Sequence, residues 1–305
     1  MATHRSIDQF LSQQMMKQHK KILILFLLIF SCAAGMKKSS AQQRYNIAAV
    51  DLMMLKRQKL GAIQLASQVG VQGLELDMGG LGNRPTFDNQ LLNDSIRSIF
   101  IQQAKNFNIS FCSLSMSGYF AQSFCGREAF VESIEDCIRT MKLMNVKVGF
   151  LPMGVQCDLI KHPELMDAVV SRLKLVGKMA EEAGVVIGIE TALDARAEKK
   201  LLKKVGSDAI KSYFNFSNPL KNGRDLCKEL KMLGSKNIIQ IHCTDDDGVL
   251  LKDNTRLDMG KVKQTLDRMG WSGWLVLERS RDAKEPNNVK KNFGSNAAYM
   301  KSIFQ

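Results

Sequence analysis

The most constraining feature of this chain is a unit that repeats from residue 45 onward. A helix-like stretch ends at Gly or Asn, and a short β-rich run follows almost at once. The unit occurs at Gly70 before residues 74–77, Asn108 before 109–112, Asn145 before 148–151 and Gly184 before 185–190. Gly206, Gly234 and Gly270 precede runs around Tyr213, Ile239 and Leu275, and residues 45–50 open the series. Glycine, and less often asparagine, tolerates the left-handed conformation that ends a helix, so the unit reads as helix, stop, strand. The intervening stretches have helical spacing, as in Phe130, Ile134, Cys137, Ile138 and Met141, or Val169, Leu173, Val176 and Ala180. Pro163 reads as the first turn of a helix.

Eight strands alternating with helices predict a parallel sheet with right-handed crossovers. Closed on itself, such a sheet is an α/β (β/α)8 TIM barrel, which typically takes roughly 250 residues. An open doubly wound sheet is the alternative, but no GxGxxG follows the first strand.

The barrel does not need the first 41 residues. Lys17, Lys20 and Lys21 lead into the apolar run 22–30, and Ser39, Ser40 and Ala41 precede Gln42. That run is too short for a bilayer span. Basic, apolar and small residues in this order match a secretory signal. The reading is therefore a leader over residues 1–41 and one domain over 42–305, exported to the periplasm or beyond. The alternative is a lipoprotein anchored through Cys32. No membrane span is expected in the mature chain.

The formal net charge of +13 at first suggests nucleic acid. Six of the 43 basic residues fall in the leader against Asp8 alone, and the rest are mostly single lysines at helix-exterior spacing. A solvated surface accounts for them. Beyond Cys32 the cysteines are Cys112, Cys125, Cys137, Cys157, Cys227 and Cys243, without a CxxC pair, so a zinc–cysteine site is not expected. Export permits disulfides. Cys112 and Cys243 lie in apolar runs and read as buried thiols, and no pairing is assigned.

Chemistry on such a barrel sits at the C-terminal ends of the strands. The fifth run ends in Glu190, the sixth gives Asn215, the seventh His242 and the eighth Glu278. Two carboxylates, an amide oxygen and an imidazole on four neighbouring strands form a donor mixture suited to Mn²⁺, Mg²⁺, Co²⁺ or Zn²⁺. Glu75 and Asp77 on the second strand, Asp245 beside His242, and Arg256 and Arg279 are further candidates for contact with substrate. Asp245 is also a candidate to orient His242. Met116, Tyr119, Phe120 and Phe216 are candidates for a dry wall around the mouth, or else ordinary core.

This series, ending in Glu190, Asn215, His242 and Glu278, resembles the xylose isomerase-like barrel superfamily of sugar phosphate isomerases and epimerases. The run Trp271-Ser272-Gly273-Trp274-Leu275-Val276-Leu277-Glu278 is similar to the glycine–tryptophan run before that family's last metal glutamate. The resemblance covers essentially all of residues 45–305. It implies one divalent ion, Mn²⁺ favoured, held by Glu190, Asn215, His242 and Glu278, with the two glutamates as acid and base. The implied reaction is isomerisation or epimerisation of a ketose or related carbohydrate through an enediolate.

Many relatives carry aspartate where this chain has Asn215, so the ligand set would total −2 rather than −3. That leaves two alternatives: a metal-dependent lyase or hydrolase of keto-sugars or glycosides in the cell envelope, or a sugar-binding barrel without catalysis. The superfamily's DNA-repair endonucleases use a three-metal cluster. Beyond the leader only His162 and His242 remain, too few for such a cluster. The expected partner is a small carbohydrate, unphosphorylated because Asp245-Asp246-Asp247-Gly248 is acidic where a phosphate loop would lie. Nucleic acid is not expected, and a homo-oligomer is left open.

Overall fold

A computed structural model describes residues 43–305; the expected leader, with Cys32, lies outside the described residues. Strand formation follows the repeat. The strands are β1 (Tyr45–Val50), β2 (Gly73–Asp77), β3 (Ser110–Ser115), β4 (Val148–Pro152), β5 (Val186–Glu190), β6 (Ile210–Asn215), β7 (Ile238–His242) and β8 (Gly273–Leu277). All neighbours pair in parallel, and β8 pairs with β1, with Ile47 opposite Leu275, closing the barrel.

Each strand is followed by a principal helix: α1 (Gly61–Val69), α2 (Asp94–Asn106), α3 (Phe130–Met144), α4 (Met166–Ala183), α5 (Ala195–Val205), α6 (Leu226–Leu233), α7 (Met259–Arg268) and α8 (Val289–Phe304). The stop residues act as the sequence predicts: Gly70, Asn145, Gly184 and Gly206 all end their helices in the left-handed region. Two details differ. Gly234 has a positive φ but an extended ψ, and a 3-10 turn over Ser235–Asn237 intervenes before β7. Pro163 opens a separate 3-10 turn, because the α-helix starts only at Met166.

The apolar residues form two shells. The larger lies between sheet and helices, and contains Ile47, Leu74, Leu76, Ile187, Ile189, Ile241 and Leu277 with the inner faces of the helices. A small cluster of Ala48, Val50, Cys112, Phe150, Tyr213 and Val276 fills the barrel interior. Gly188 makes room there: a Cβ at this position would come within 3.0 Å of Tyr213 and 2.9 Å of Ile239. Tyr213 can therefore lie across the barrel, and its hydroxyl reaches a carboxylate on β2.

Candidate functional site

Because side chains alternate along a strand, the residue two before a mouth residue shares its face one layer deeper. Tyr213 precedes Asn215 in this way, Gln240 precedes His242, and Glu75 precedes Asp77. Glu75, Ser113, Tyr213, Gln240 and His242 form a polar layer that is at most 1% exposed. Glu75 Oε2 accepts from Ser113 Oγ at 2.6 Å and from Tyr213 OH at 2.5 Å. Gln240 Nε2 donates to both hydroxyls, at 2.9 and 2.8 Å, which leaves their protons aimed at Glu75. On the other oxygen, Glu75 Oε1 accepts from His242 Nε2 at 3.2 Å.

This layer fixes charges. Burial pulls the His242 imidazole down, but Glu75, Glu190 and Glu278 together push it well above the usual histidine range. Burial pushes Glu75 up, yet His242, Ser113 and Tyr213 hold it below its ordinary value. Both directions come from the carboxylates that face the two ring nitrogens, and a ligating Nδ1 would have to be free of its proton. His242 Nδ1 then faces Glu190 Oε2 at 3.4 Å.

Above the layer lies a cavity of about 320 Å³ whose lining includes Glu190, Asn215, Glu278, Arg279, Phe120 and Cys157. Asn215 Nδ2 donates to Glu190 Oε2 at 3.1 Å and to Glu278 Oε2 at 3.2 Å. Asn218 Nδ2 approaches the other oxygen of Glu190 at 3.3 Å. Burial raises Glu278 above its ordinary value, partly offset by His242 and Arg279, whose Nε lies 3.6 Å from it. The four residues singled out on β5 to β8 thus meet around one point.

The other candidates fall elsewhere. Asp77 is closed off: Oδ1 takes Arg57 Nε and the Gly79 amide, each at 2.8 Å, and Oδ2 takes Ser117 Oγ. Burial pushes Asp77 up to about 6, against the pull of Ser117 and Arg57. Asp245 does not serve as the orienting partner of His242. Its carboxylate is occupied by Arg256, at 2.6 Å from Nη2, and by Asn254 at 2.9 Å, because the loop folds back on itself within eleven residues. Glu75 orients the imidazole instead. Arg256 lies at a second surface depression with Leu257 and Lys261, away from the carboxylates. Of the four apolar candidates only Phe120 lines the cavity; Met116, Tyr119 and Phe216 are fully buried core.

Sequence reasoning missed Ser113, Tyr213, Gln240, Ser217 and Asn218. The two-residue spacing behind Asn215 and His242 was the available signal for Tyr213 and Gln240. It left Cys125 and Cys157 unpaired as well. They form a disulfide that joins the loops after β3 and β4 at the cavity wall, while Cys112, Cys137, Cys227 and Cys243 are buried thiols.

The donors around this point suit a divalent ion in part. Glu75 holds His242 Nε2, which leaves Nδ1 as the ring nitrogen facing the carboxylates, the usual arrangement of a ligating imidazole. Glu190, His242 Nδ1 and Glu278 fit an ion in chemistry and in net negative charge. The fourth member fits less well: Asn215 Oδ1 accepts from the Ser217 backbone N–H at 3.0 Å and from Ser217 Oγ at 2.9 Å. Among the described residues, no group of three or more His, Cys, Asp and Glu side chains is gathered as a finished metal cage. No helix of the described residues is long and apolar enough to cross a membrane.

A family model described as xylose isomerase-like TIM barrel matches residues 63–303. Among curated proteins none matches the chain. Several solved structures match over nearly their whole length. A D-psicose 3-epimerase in the presence of D-fructose superposes with a TM-score of 0.68 at 10% identity, over 85% of this chain and 99% of its own. The D-psicose 3-epimerase of Clostridium cellulolyticum with D-tagatose gives 0.66 at 12% identity, over 85% and 99%. A sugar phosphate isomerase/epimerase from Parabacteroides distasonis gives 0.67 at 11% identity, over 88% and 98%. At these identities the likeness is one of fold.

Proposed function

This chain belongs to the xylose isomerase-like TIM barrel family, and from that membership we propose that it is a sugar isomerase or epimerase acting on a ketose by proton transfer next to the carbonyl. The observation that carries the reading is the pair Glu190 and Glu278, two carboxylates held by one amide at the floor of a sugar-sized cavity. The epimerase neighbours, whose structures include D-fructose and D-tagatose, support the same substrate class.

A divalent ion, Mn²⁺ favoured over Mg²⁺, Co²⁺ or Zn²⁺, would be held by Glu190, His242 and Glu278 and would supply Lewis acidity toward a ketone oxygen. The chain's own residues do the rest. One of Glu190 and Glu278 removes the carbon-bound proton, and the other returns one on the opposite face. Asn215 and Asn218 hold Glu190 in place, and Asn215 with Arg279 holds Glu278. Phe120 and the apolar part of the cavity wall exclude water, which keeps the carboxylates effective as bases.

We place the reaction outside the cytoplasm. The Cys125–Cys157 disulfide supports this, since such bonds persist mainly in oxidising compartments. N-terminal sequencing of protein from its host should give a start near Gln42; an intact leader would overturn the export.

The function is tested by incubating the protein and Mn²⁺ with D-fructose and D-tagatose in deuterated water. Deuterium entering the carbon beside the carbonyl, with an epimeric product, is expected by NMR. A product lighter than the substrate by one water would shift the reading to elimination, and cleavage of a keto-glycoside supplied in place of the free sugars would shift it to hydrolysis. Sugar binding without exchange would shift it to a binding barrel.

A further inference from the structure

We infer that Asn215 is a clamp on the two carboxylates rather than a ligand to the ion. The inference rests on the isomerase reading of this mouth and deepens it.

The argument begins with which end of the amide faces where. A backbone N–H can only donate, so the Asn215 atom 3.0 Å from the Ser217 nitrogen must be the oxygen. The Ser217 hydroxyl donates to the same atom at 2.9 Å. The NH₂ group therefore points the other way, and its two protons match two acceptors, Glu190 Oε2 and Glu278 Oε2. Turning the amide over would set NH₂ against a backbone N–H and an oxygen against two carboxylates. Three contacts would become repulsive, and only the Ser217 hydroxyl, which can also accept, could adapt, in a residue only 5% exposed. Its orientation is thus locked from behind by the start of the short helix Ser217–Lys221.

An aspartate at this position would keep the Ser217 bonds but turn a third carboxylate oxygen toward Glu190 and Glu278. A cation would then be needed to hold the three together. Asparagine removes that need, because its NH₂ supplies the bridging positive dipole itself. The two carboxylates are held in their relative positions with or without an ion, and the ion keeps three protein ligands, Glu190, His242 and Glu278. Asn215 is a positioning residue.

The test combines Mn²⁺ calorimetry with thermal melting, in EDTA and in saturating Mn²⁺, on the full-length protein and on Asn215→Leu and Asn215→Asp. Asn215→Ser replaces the leucine variant if that does not fold. The clamp requires Asn215→Leu to bind Mn²⁺ more tightly than wild type, because the ion then relieves a repulsion that the amide no longer bridges. It also requires this variant to melt several degrees lower in EDTA, with the gap closing in Mn²⁺. Asn215→Asp should melt lowest in EDTA and bind Mn²⁺ most tightly.

An affinity in Asn215→Leu equal to or weaker than that of wild type overturns the clamp, and a loss well beyond the roughly 10–100-fold that outer partners of a metal site are worth makes Asn215 a ligand. Equal melting in EDTA, or a gap that Mn²⁺ leaves open, also overturns it. If the wild type takes up no Mn²⁺, the metal part of the functional reading fails separately. The clamp is then judged on melting in EDTA alone: the order Asp below Leu below wild type supports it, and any other order overturns it.

Discussion

His242 Nε2 donates to Glu75 Oε1 across 3.2 Å, joining the seventh strand to the second through the barrel interior. Both residues are essentially unexposed, so each is the other's main compensation for leaving water. Removing one partner of a buried pair leaves an uncompensated charge.

Replacing Glu75 by Leu should therefore cost about 3–5 kcal/mol of stability, measured by urea unfolding at neutral pH. The milder Glu75→Gln should lower Mn²⁺ affinity roughly 10–100-fold, because the partner that aims the imidazole is weakened. If neither stability nor affinity moves, the pair is incidental to the site.

The acid–base assignment makes a sharper demand. Glu190→Gln and Glu278→Gln should each lower turnover by roughly 10²–10⁴, the usual worth of a positioned acid or base. The variant that keeps its abstracting carboxylate should still exchange the carbon-bound proton with deuterated water, yet fail to invert the centre. Two variants with full turnover would remove both residues from the chemistry.

A pH dependence follows from Glu198 on α5. Its carboxyl is buried and bonded to Thr191 at 2.9 Å, and burial, reinforced by Glu190 and Glu229, pushes it up to about 7. A raised folded pKa means that the native state holds the proton more tightly than the unfolded chain. The stabilising effect is full below the unfolded value of 4.5 and is lost as pH rises through about 7. Glu198→Gln, which cannot ionise, should gain on the wild type by up to about 3 kcal/mol between pH 4 and pH 8.5. Urea unfolding at the two pH values measures it, and a constant difference would show that Glu198 titrates normally.

Much of this was legible in the chain and some was not, for physical reasons. A glycine or asparagine at a helix end is a local signal, so all eight strands could be read, and with them the mouth positions Glu190, Asn215, His242 and Glu278. The Glu75–His242 pair spans a sequence separation of 167. It depends on the stagger of strands around the closed barrel, which no short window of sequence reveals. Asp245 stood beside His242 in sequence, yet Arg256 captures it through a loop whose course sequence does not fix. The direction of the Asn215 amide depends on a backbone N–H, invisible in any list of side chains.

The disulfide can be tested directly. Its cysteines are 32 residues apart, and a loop of that length is worth about 3–4 kcal/mol in the chain-entropy model. The double variant Cys125→Ser, Cys157→Ser should lose on the order of 2–4 kcal/mol in urea unfolding. Alkylation of unreduced, unfolded protein should leave Cys125 and Cys157 unlabelled while Cys112, Cys137, Cys227 and Cys243 react. Labelling of all six would show that the bond is absent.

That same bond divides the mouth into two kinds of territory. The carboxylates Glu190 and Glu278 come from the ends of β5 and β8, whereas Phe120, Val155, Cys157, Asp158 and Lys161, on the loops after β3 and β4, supply another part of the wall. Substitutions in the stapled loops can change which molecule fits without disturbing a single proton-handling group. For anyone redirecting this barrel to a new substrate, Val155, Asp158 and Lys161 are the places to diversify, with Cys157 and the positive-φ Gly154 kept. A library built there keeps its catalytic half constant by construction.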